Sequence, residues 1–430
     1  MNITLLLPVH IAVLCVFIYK MKWFDDPFLS KITLMLIFIL KIAAGLFAGY
    51  YYSMKYGGGD TMAFFKDGIE LKSCLMHHFS HFITYLKGDM ASSVFYTKCG
   101  TLSAWINDDP LYNDNHTVTL LHMLLAFISG ESYPVHVAWF AFFSLAGLMG
   151  IYRLFRIIAQ VKGWPVILTL FALPSILFWI SVASKESLAI FGTGVFCGTA
   201  ALLHSGQTSW LNKLACVLSF CMALLIKIYF VILLLPALFA FIISKGKSQS
   251  VTLKNYVLVY GGGFVLLLLL SIIIPPADVC SLIYNKRQSF EVYATTFPDG
   301  FTTYLQLPQF ENNWLSLLLH TPAAAGVSLL QPFEFSKDQL PLMFLSIENL
   351  FYVAIVFIAI LWGKKRIPRQ LNAILFCVLF TYTLLALIGL TTPVAGAIIR
   401  YKSIILPFLM MIPVILFVNP GSPEAIDKKA

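Results

Sequence analysis

The residues able to do chemistry in this 430-residue chain are few, since only 11% of it is charged, and most sit where apolar runs end. Asp60 follows three glycines in YYYSMKYGGGDTMAFFKDG, residues 50–68. Glycine has no Cβ, so Gly57, Gly58 and Gly59 let the backbone turn sharply and come close to a ligand. A carboxylate on such a bend can take a proton from a hydroxyl, or it can cap a helix beginning at Thr61. Tyr50, Tyr51, Tyr52 and Tyr56 crowd around it, as ligand contacts or as the aromatic belt of a membrane interface.

Lys41 lies in the middle of an apolar run, where a charge costs at least about 2.5 kcal/mol, so it must face the protein interior and find a partner. Glu348 and Glu186 are the acidic candidates. In LPSILFWISVASKESLAIF, residues 173–191, two apolar runs meet in a short turn. There Ser184 can cap the following helix with Glu186 in its first turn and Lys185 reaching toward the headgroups, or Lys185 and Glu186 can act as an acid and base pair. Lys227 parts two apolar runs in LLIKIYF, and Arg400 and Lys402 open the last run in TTPVAGAIIRYKSIILP. Each cation alone suits a lipid headgroup. Together, Lys185, Lys227, Arg400 and Lys402 form a candidate receptor for an anion such as a lipid-linked phosphate.

His77 and His81 in HHFSH stand at helical i, i+4 spacing, which suits a metal but lacks a third ligand; interfacial histidines explain them better. Asp108, Asp109, Asp114, Asn115 and His116 fall in the turn-rich NDDPLYNDNHT, an Asx-turn segment or an acceptor-binding edge. Of eight cysteines, Cys15, Cys197, Cys216, Cys221 and Cys377 sit in apolar runs as small hydrophobes. Cys74 and Cys99 share one polar segment and can form a disulfide in an oxidising compartment, with Cys280 left over.

The elements that must hold these residues are membrane helices. With 59% hydrophobic residues and mean hydropathy of +0.84, the chain has too few charges to cover a water-facing surface. Apolar runs of spanning length fall at 3–19, 32–52, 134–152, 164–181, 186–204, 210–226, 228–244, 255–275, 344–362, 371–390 and 402–418, predicting an all-α polytopic membrane protein of about eleven spans in a single domain, 1–430. The first run lacks a basic flank and a small-residue cleavage site, so it reads as a retained helix. The segment 420–430 reads as a disordered tail.

Lys20, Lys22, Lys31, Arg153, Arg156, Lys162, Lys213, Lys245, Lys247, Lys254, Lys364, Lys365, Arg366, Arg369, Lys428 and Lys429 fall on one side of these spans, with only Asp25, Asp26, Glu424 and Asp427 beside them. That side carries +12 and the remainder −3, so the positive-inside rule makes it cytoplasmic. The expectation is a bacterial inner-membrane protein with its N-terminus outside and its C-terminus inside. Two long outer segments result, 53–133 and 276–343. Their short apolar stretches, 117–128 and 314–330, read as helices at the outer interface, the second interrupted by Pro322 or re-entrant there. No Gly-rich phosphate loop or dinucleotide fingerprint is present.

This arrangement resembles the GT-C superfamily of membrane glycosyltransferases, which take sugars from polyprenyl-phosphate donors at the outer membrane face. GGGD with Asp60 resembles their essential Asp at the start of the first long outer loop. PSILFWISVASKESLAIFGTGVF, residues 174–196, resembles their Pro, Ser and acidic-residue pattern, and IIRYKSIILP, residues 398–407, resembles the Arg and Pro opening a late helix there and in exopolysaccharide and O-antigen polymerases. The resemblance implies Asp60 as base, and Arg400, Lys402, Lys185 and Lys227 as ligands of the lipid phosphate. Lys41, Glu186 and Tyr56 would support them. It implies a lipid-linked sugar donor, a glycan or lipid acceptor, contact with membrane lipids and no nucleic acid; it requires no cofactor and admits a divalent cation. Two other classes stand beside it: a transporter or flippase of lipid-linked saccharide, which Lys41 suits although no internal repeat is evident, and a non-catalytic envelope assembly subunit.

Overall fold

The structure, a computed structural model, describes residues 3–86, 114–161, 163–296, 303–335 and 340–417. Apart from one isolated antiparallel bridge between Tyr304 and Val394, its regular structure is helical, and eight described helices are long and apolar enough to cross a membrane. The chain is an all-α polytopic membrane protein.

Among the described residues the eleven apolar runs correspond to eight spanning helices. The first run is α1, Ile3–Lys20, an apolar helix of 18 residues; the side chains of residues 3–5 lie outside the described ones, so it is not counted among the eight. The run 164–181 is two short helices, Trp164–Phe171 and Pro174–Trp179. Pro174 has no N–H to continue a helix and holds Leu173 extended (φ −63°, ψ 132°). The runs 210–226 and 228–244 are one stretch, Trp210–Ile243, with non-helical backbone at Lys227 (φ −152°, ψ 81°). Straight, its 34 residues would reach about 51 Å against a hydrocarbon core of about 30 Å, and the break divides it into pieces of half that length. Conversely, Pro322 leaves Trp314–Leu330 a continuous helix.

The chain forms two compact units. The first comprises Met1–Leu154 and Leu170–Val231; the second comprises Phe155–Thr169 and Ile232–Lys428. After α1, label α2 Lys31–Tyr56, α3 Gly59–His77, α4 Phe79–Leu86, α5 Asp114–Ser129, α6 Tyr133–Ile158, α7 Trp164–Phe171, α8 Pro174–Trp179, α9 Lys185–His204 and α10 Trp210–Ile243; the end of α6 from Phe155, α7 up to Thr169 and α10 from Ile232 belong to the second unit, and the rest to the first. Helices α6 and α9 cross at glycines: a Cβ on Gly150 would sit 2.0 Å from the Gly194 carbonyl oxygen, and one on Gly194 equally close to that of Gly147. Only backbones without side chains approach this closely, a packing device of membrane helices. The first half of α10 runs antiparallel to α9, with Ala223 against Gly192 and Phe220 against Phe196.

Two basic segments of the first unit meet, the chain from Lys20 to Lys31 and α6 around Arg153. Arg153 donates to the carbonyls of Lys22 and Trp23 at 3.0 and 2.9 Å, Tyr152 to Asp26 at 3.0 Å, and Lys31 pairs with Asp25 at 2.8 Å. The glycine bend after α2 and the turn before α9 are elsewhere. At that bend Gly57, Gly58 and Gly59 all have positive φ, which side-chain-bearing residues rarely adopt.

In the second unit, α11 Gln249–Ile273, α12 Val279–Thr296, α13 Trp314–Leu330, α14 Leu340–Gly363, α15 Ile367–Thr391 and α16 Ala395–Phe417 follow. Helix α13, expected at the interface, packs along α15, where a Cβ on Gly389 would meet the Ala324 carbonyl oxygen at 2.0 Å. An extended stretch pairs with the entry to α16 through Leu305 N–H to Pro393 O (2.7 Å) and Ala395 N–H to Thr303 O (2.9 Å). Buried Arg287 pins it, donating to Glu291 at 2.6 Å and to the Leu390 and Leu307 carbonyls at 3.4 and 3.3 Å.

Candidate functional site

Four of the eight residues singled out from the sequence converge on the turn between α8 and α9, within the first unit. The turn exists because α8 ends after six residues and the chain runs non-helically from Ile180 to Ser184 before α9 begins. Helix α2 closes over it. Gly45 leaves room for the Ser181 carbonyl, which a Cβ would meet at 2.4 Å, and one turn earlier Lys41 enters. Lys41 is fully buried and donates to the Ile180 carbonyl at 3.2 Å and the Ser181 hydroxyl at 2.9 Å. The acidic partner expected for it is absent among the described residues, because a shortened helix and a serine supply acceptors instead.

Glu186 turns to Lys227 at 3.4 Å, both almost wholly buried. The break in α10 is what places Lys227 there: it sits between helical segments, opposite the start of α9. Lys185 pairs with Asp114, at the start of α5, at 2.7 Å and lies over the Phe64 ring of α3 at 5.4 Å. One turn, four residues, separates Phe64 from Asp60, which puts Asp60 on the same face of α3.

Asp60 is not a helix cap. Helix α3 begins at Gly59 with Gly58 in the capping position, so Asp60 lies inside the first turn, half-buried, where the helix dipole favours its charge. Tyr52 lies beneath, its ring 3.1 Å from where a Gly59 Cβ would be and 5.9 Å from the Trp179 ring. Tyr56 ends α2; its side chain lies outside the described ones. Ser184 occupies the capping position of α9 but makes no capping bond, in contrast to the expected role. Its extended backbone (φ −139°, ψ 171°) bonds back to Val182 O at 2.8 Å, and Ser187 turns its hydroxyl to the same carbonyl at 2.6 Å.

Arg400 and Lys402 belong to the second unit. Arg400 is half-buried early in α16. Lys402 is buried, and its ammonium donates to the Leu329 carbonyl (3.2 Å), the Gln331 carbonyl and the Asn349 side chain, accounting for its three N–H groups. It closes the C-terminal end of α13 where helix carbonyls lack partners. Glu348, the other acid considered for Lys41, bonds Tyr352.

Of the polar segments, His77 Nδ1–H donates to the Ser73 carbonyl at 3.0 Å, and the His78 and His81 rings meet at 6.0 Å. No group of three or more His, Cys, Asp or Glu is placed to hold a metal among the described residues. Asp108 and Asp109 lie outside those residues, as does Cys99; Cys74 is disulfide-bonded, and the other six cysteines are free.

Sequence reasoning passed over several groups here. Asp114 was one of five polar residues in a loop-like segment, with no signal to separate it. His122 on α5 and His136 on α6 bond through their Nδ1 atoms at 2.8 Å, and His136 bonds Ser129 at 2.8 Å. Burial and the adjacent His136 hold His122 well below the usual imidazole range, so it is neutral at ordinary pH. Asp67 is buried two turns along α3 from Asp60, close enough to the buried Tyr85 hydroxyl to add to the upward push that burial exerts on that phenol. A period-seven recurrence of Asp on α3 was the one available signal.

Compared with protein-family models, with curated proteins and with solved structures, the chain matches none. Function therefore rests on the geometry and chemistry of these residues.

Proposed function

We propose that this protein is a membrane glycosyltransferase that moves a sugar from a polyprenyl-phosphate donor to a glycan or lipid acceptor at the outer face of a bacterial inner membrane. One observation carries the reading: three buried or half-buried cations and Glu186 meet at a single turn, beside the helix whose first turn bears Asp60. In the reaction, the Asp60 carboxylate takes the proton of an acceptor hydroxyl. The acceptor oxygen forms its bond to the anomeric carbon while the bond from that carbon to the phosphate oxygen breaks, its electron pair leaving on the phosphate. Cations and helix N–H groups at the turn stabilise that departing charge. A donor held in the bilayer by its own tail needs no soluble nucleotide-binding fold.

The orientation follows from the charge asymmetry, and the oxidised state of Cys74 supports it, since disulfides persist outside the cytoplasm. The transporter reading has less support, because Lys41, the charge it would use, is bonded to the Ile180 carbonyl and the Ser181 hydroxyl of the turn.

Deleting the gene in its host is the test, with surface glycans and lipid-linked sugars quantified. Loss of one glycan with build-up of its donor at the outer leaflet is expected. Build-up at the inner leaflet indicates the flippase reading, and an unchanged profile removes both.

A further inference from the structure

Three features of the five residues 180–184 and the helix they lead into share one deficiency. Lys41 is fully buried, bonds only a carbonyl and a hydroxyl there, and has no carboxylate partner among the described residues. The 20-residue helix α9 starts in the interior, with Ser184 and Glu186 each 1% exposed and Ser187 fully buried, yet its N-cap residue Ser184 makes no side-chain capping bond. A buried helix start normally has capping partners. The Ser184 hydroxyl itself, at the capping position, meets no hydrogen-bond partner, a rarity for a buried polar atom.

The neighbouring charges do not remedy this. Glu186 is matched by Lys227, and Lys185 by Asp114. Lys41 is thus the charge of this turn left without a counter-charge among the described residues, and the turn it bonds leads into a helix N-terminus that adds about half a positive charge. A buried cation, a helix N-terminus and a free hydroxyl donor are together the recognition chemistry of a phosphate.

We infer that the turn 180–184 and the first N–H groups of α9 seat one phosphate group, bonded by Ser184 and neutralising Lys41. Its place against the spanning helix α2 suits a lipid phosphate. The choice of ligand class rests on the transferase reading: the seat is where the phosphate of the donor would lie as it leaves.

The test is thermal unfolding of the purified full chain in detergent, titrated with a polyprenyl phosphate, with inorganic phosphate, with phosphatidylglycerol and with uncharged polyprenol. A saturable rise in Tm with polyprenyl phosphate and none with polyprenol is expected. Ser184→Ala should weaken the apparent affinity about tenfold, which is about 1.4 kcal/mol. Lys41→Met should abolish the rise while leaving the unliganded protein as stable or more so, since a buried unmatched charge is replaced by an apolar chain of similar length. If Lys41→Met does not accumulate, Ser184→Ala decides alone. A rise with inorganic phosphate as well identifies the phosphate itself as the ligand; a rise with phosphatidylglycerol equal to that with polyprenyl phosphate identifies a structural lipid in the seat. No rise with any phosphate, an equal rise with polyprenol, or an unchanged response in Ser184→Ala overturns the inference. Binding without any glycan change in the deletion host leaves the seat and removes the transferase; glycan loss without a phosphate response does the reverse.

Discussion

Asp60→Asn is expected to lower glycan transfer by about 10²- to 10⁴-fold, the usual worth of a positioned general base, with protein level in the membrane unchanged. The substitution keeps the side-chain shape and removes only the charge and basicity. Gly58, not Asp60, holds the capping position of α3, so the substitution leaves the cap intact, and the first-turn charge it removes is worth about 0.3–1 kcal/mol against the helix dipole. Surface glycan, donor build-up and membrane abundance should be measured on the same cells. Normal glycan at normal abundance would remove Asp60 as the base and turn attention to Asp67, on the same helix. Loss of the protein itself would show that the charge serves folding.

The second large effect is on stability. Glu186 and Lys227 are both within a few percent of complete burial, and removing one member of such a pair strands the other, at a cost of about 3–5 kcal/mol. Glu186→Gln and Lys227→Met should therefore each lower Tm strongly in detergent. Combined, they should recover most of the loss, because two apolar or neutral groups need no counter-charge. The measurement is a double-mutant cycle on Tm, where additive losses would mean the two residues do not act as a pair. The pair also joins the start of α9 to the break in α10, so its loss should loosen the turn that holds Lys41.

How much of this was legible in the sequence differs by level. Membrane class and the positions of most spans follow from hydropathy, because a helix crossing a bilayer needs an uninterrupted apolar length that few other structures demand. The burial of Lys41 was legible for the same reason. Its partners were not, since a carbonyl released by the early end of α8 leaves no mark in residue type. Lys227 and Glu186 were both placed at turns, yet their pairing depends on the first half of α10 lying antiparallel to α9. Lys402 was grouped with Arg400 as a headgroup cation; a ligand 53 positions away, Asn349, and the end of α13 claim it instead. Ser184 is the most instructive case. Residue type, position and extended backbone all suit a helix cap, and only the hydrogen-bond geometry reveals that its hydroxyl makes no such bond.

The most direct measurement is transfer by the purified protein in liposomes, supplied with lipid-linked sugars extracted from the deletion host and with its glycan acceptors. The expected result is time-dependent consumption of one lipid-linked sugar, stoichiometric release of polyprenyl phosphate and sugar on the acceptor, all lost in Asp60→Asn. Movement of the intact lipid-linked sugar between leaflets with no release of polyprenyl phosphate would contradict the account and make the protein a carrier.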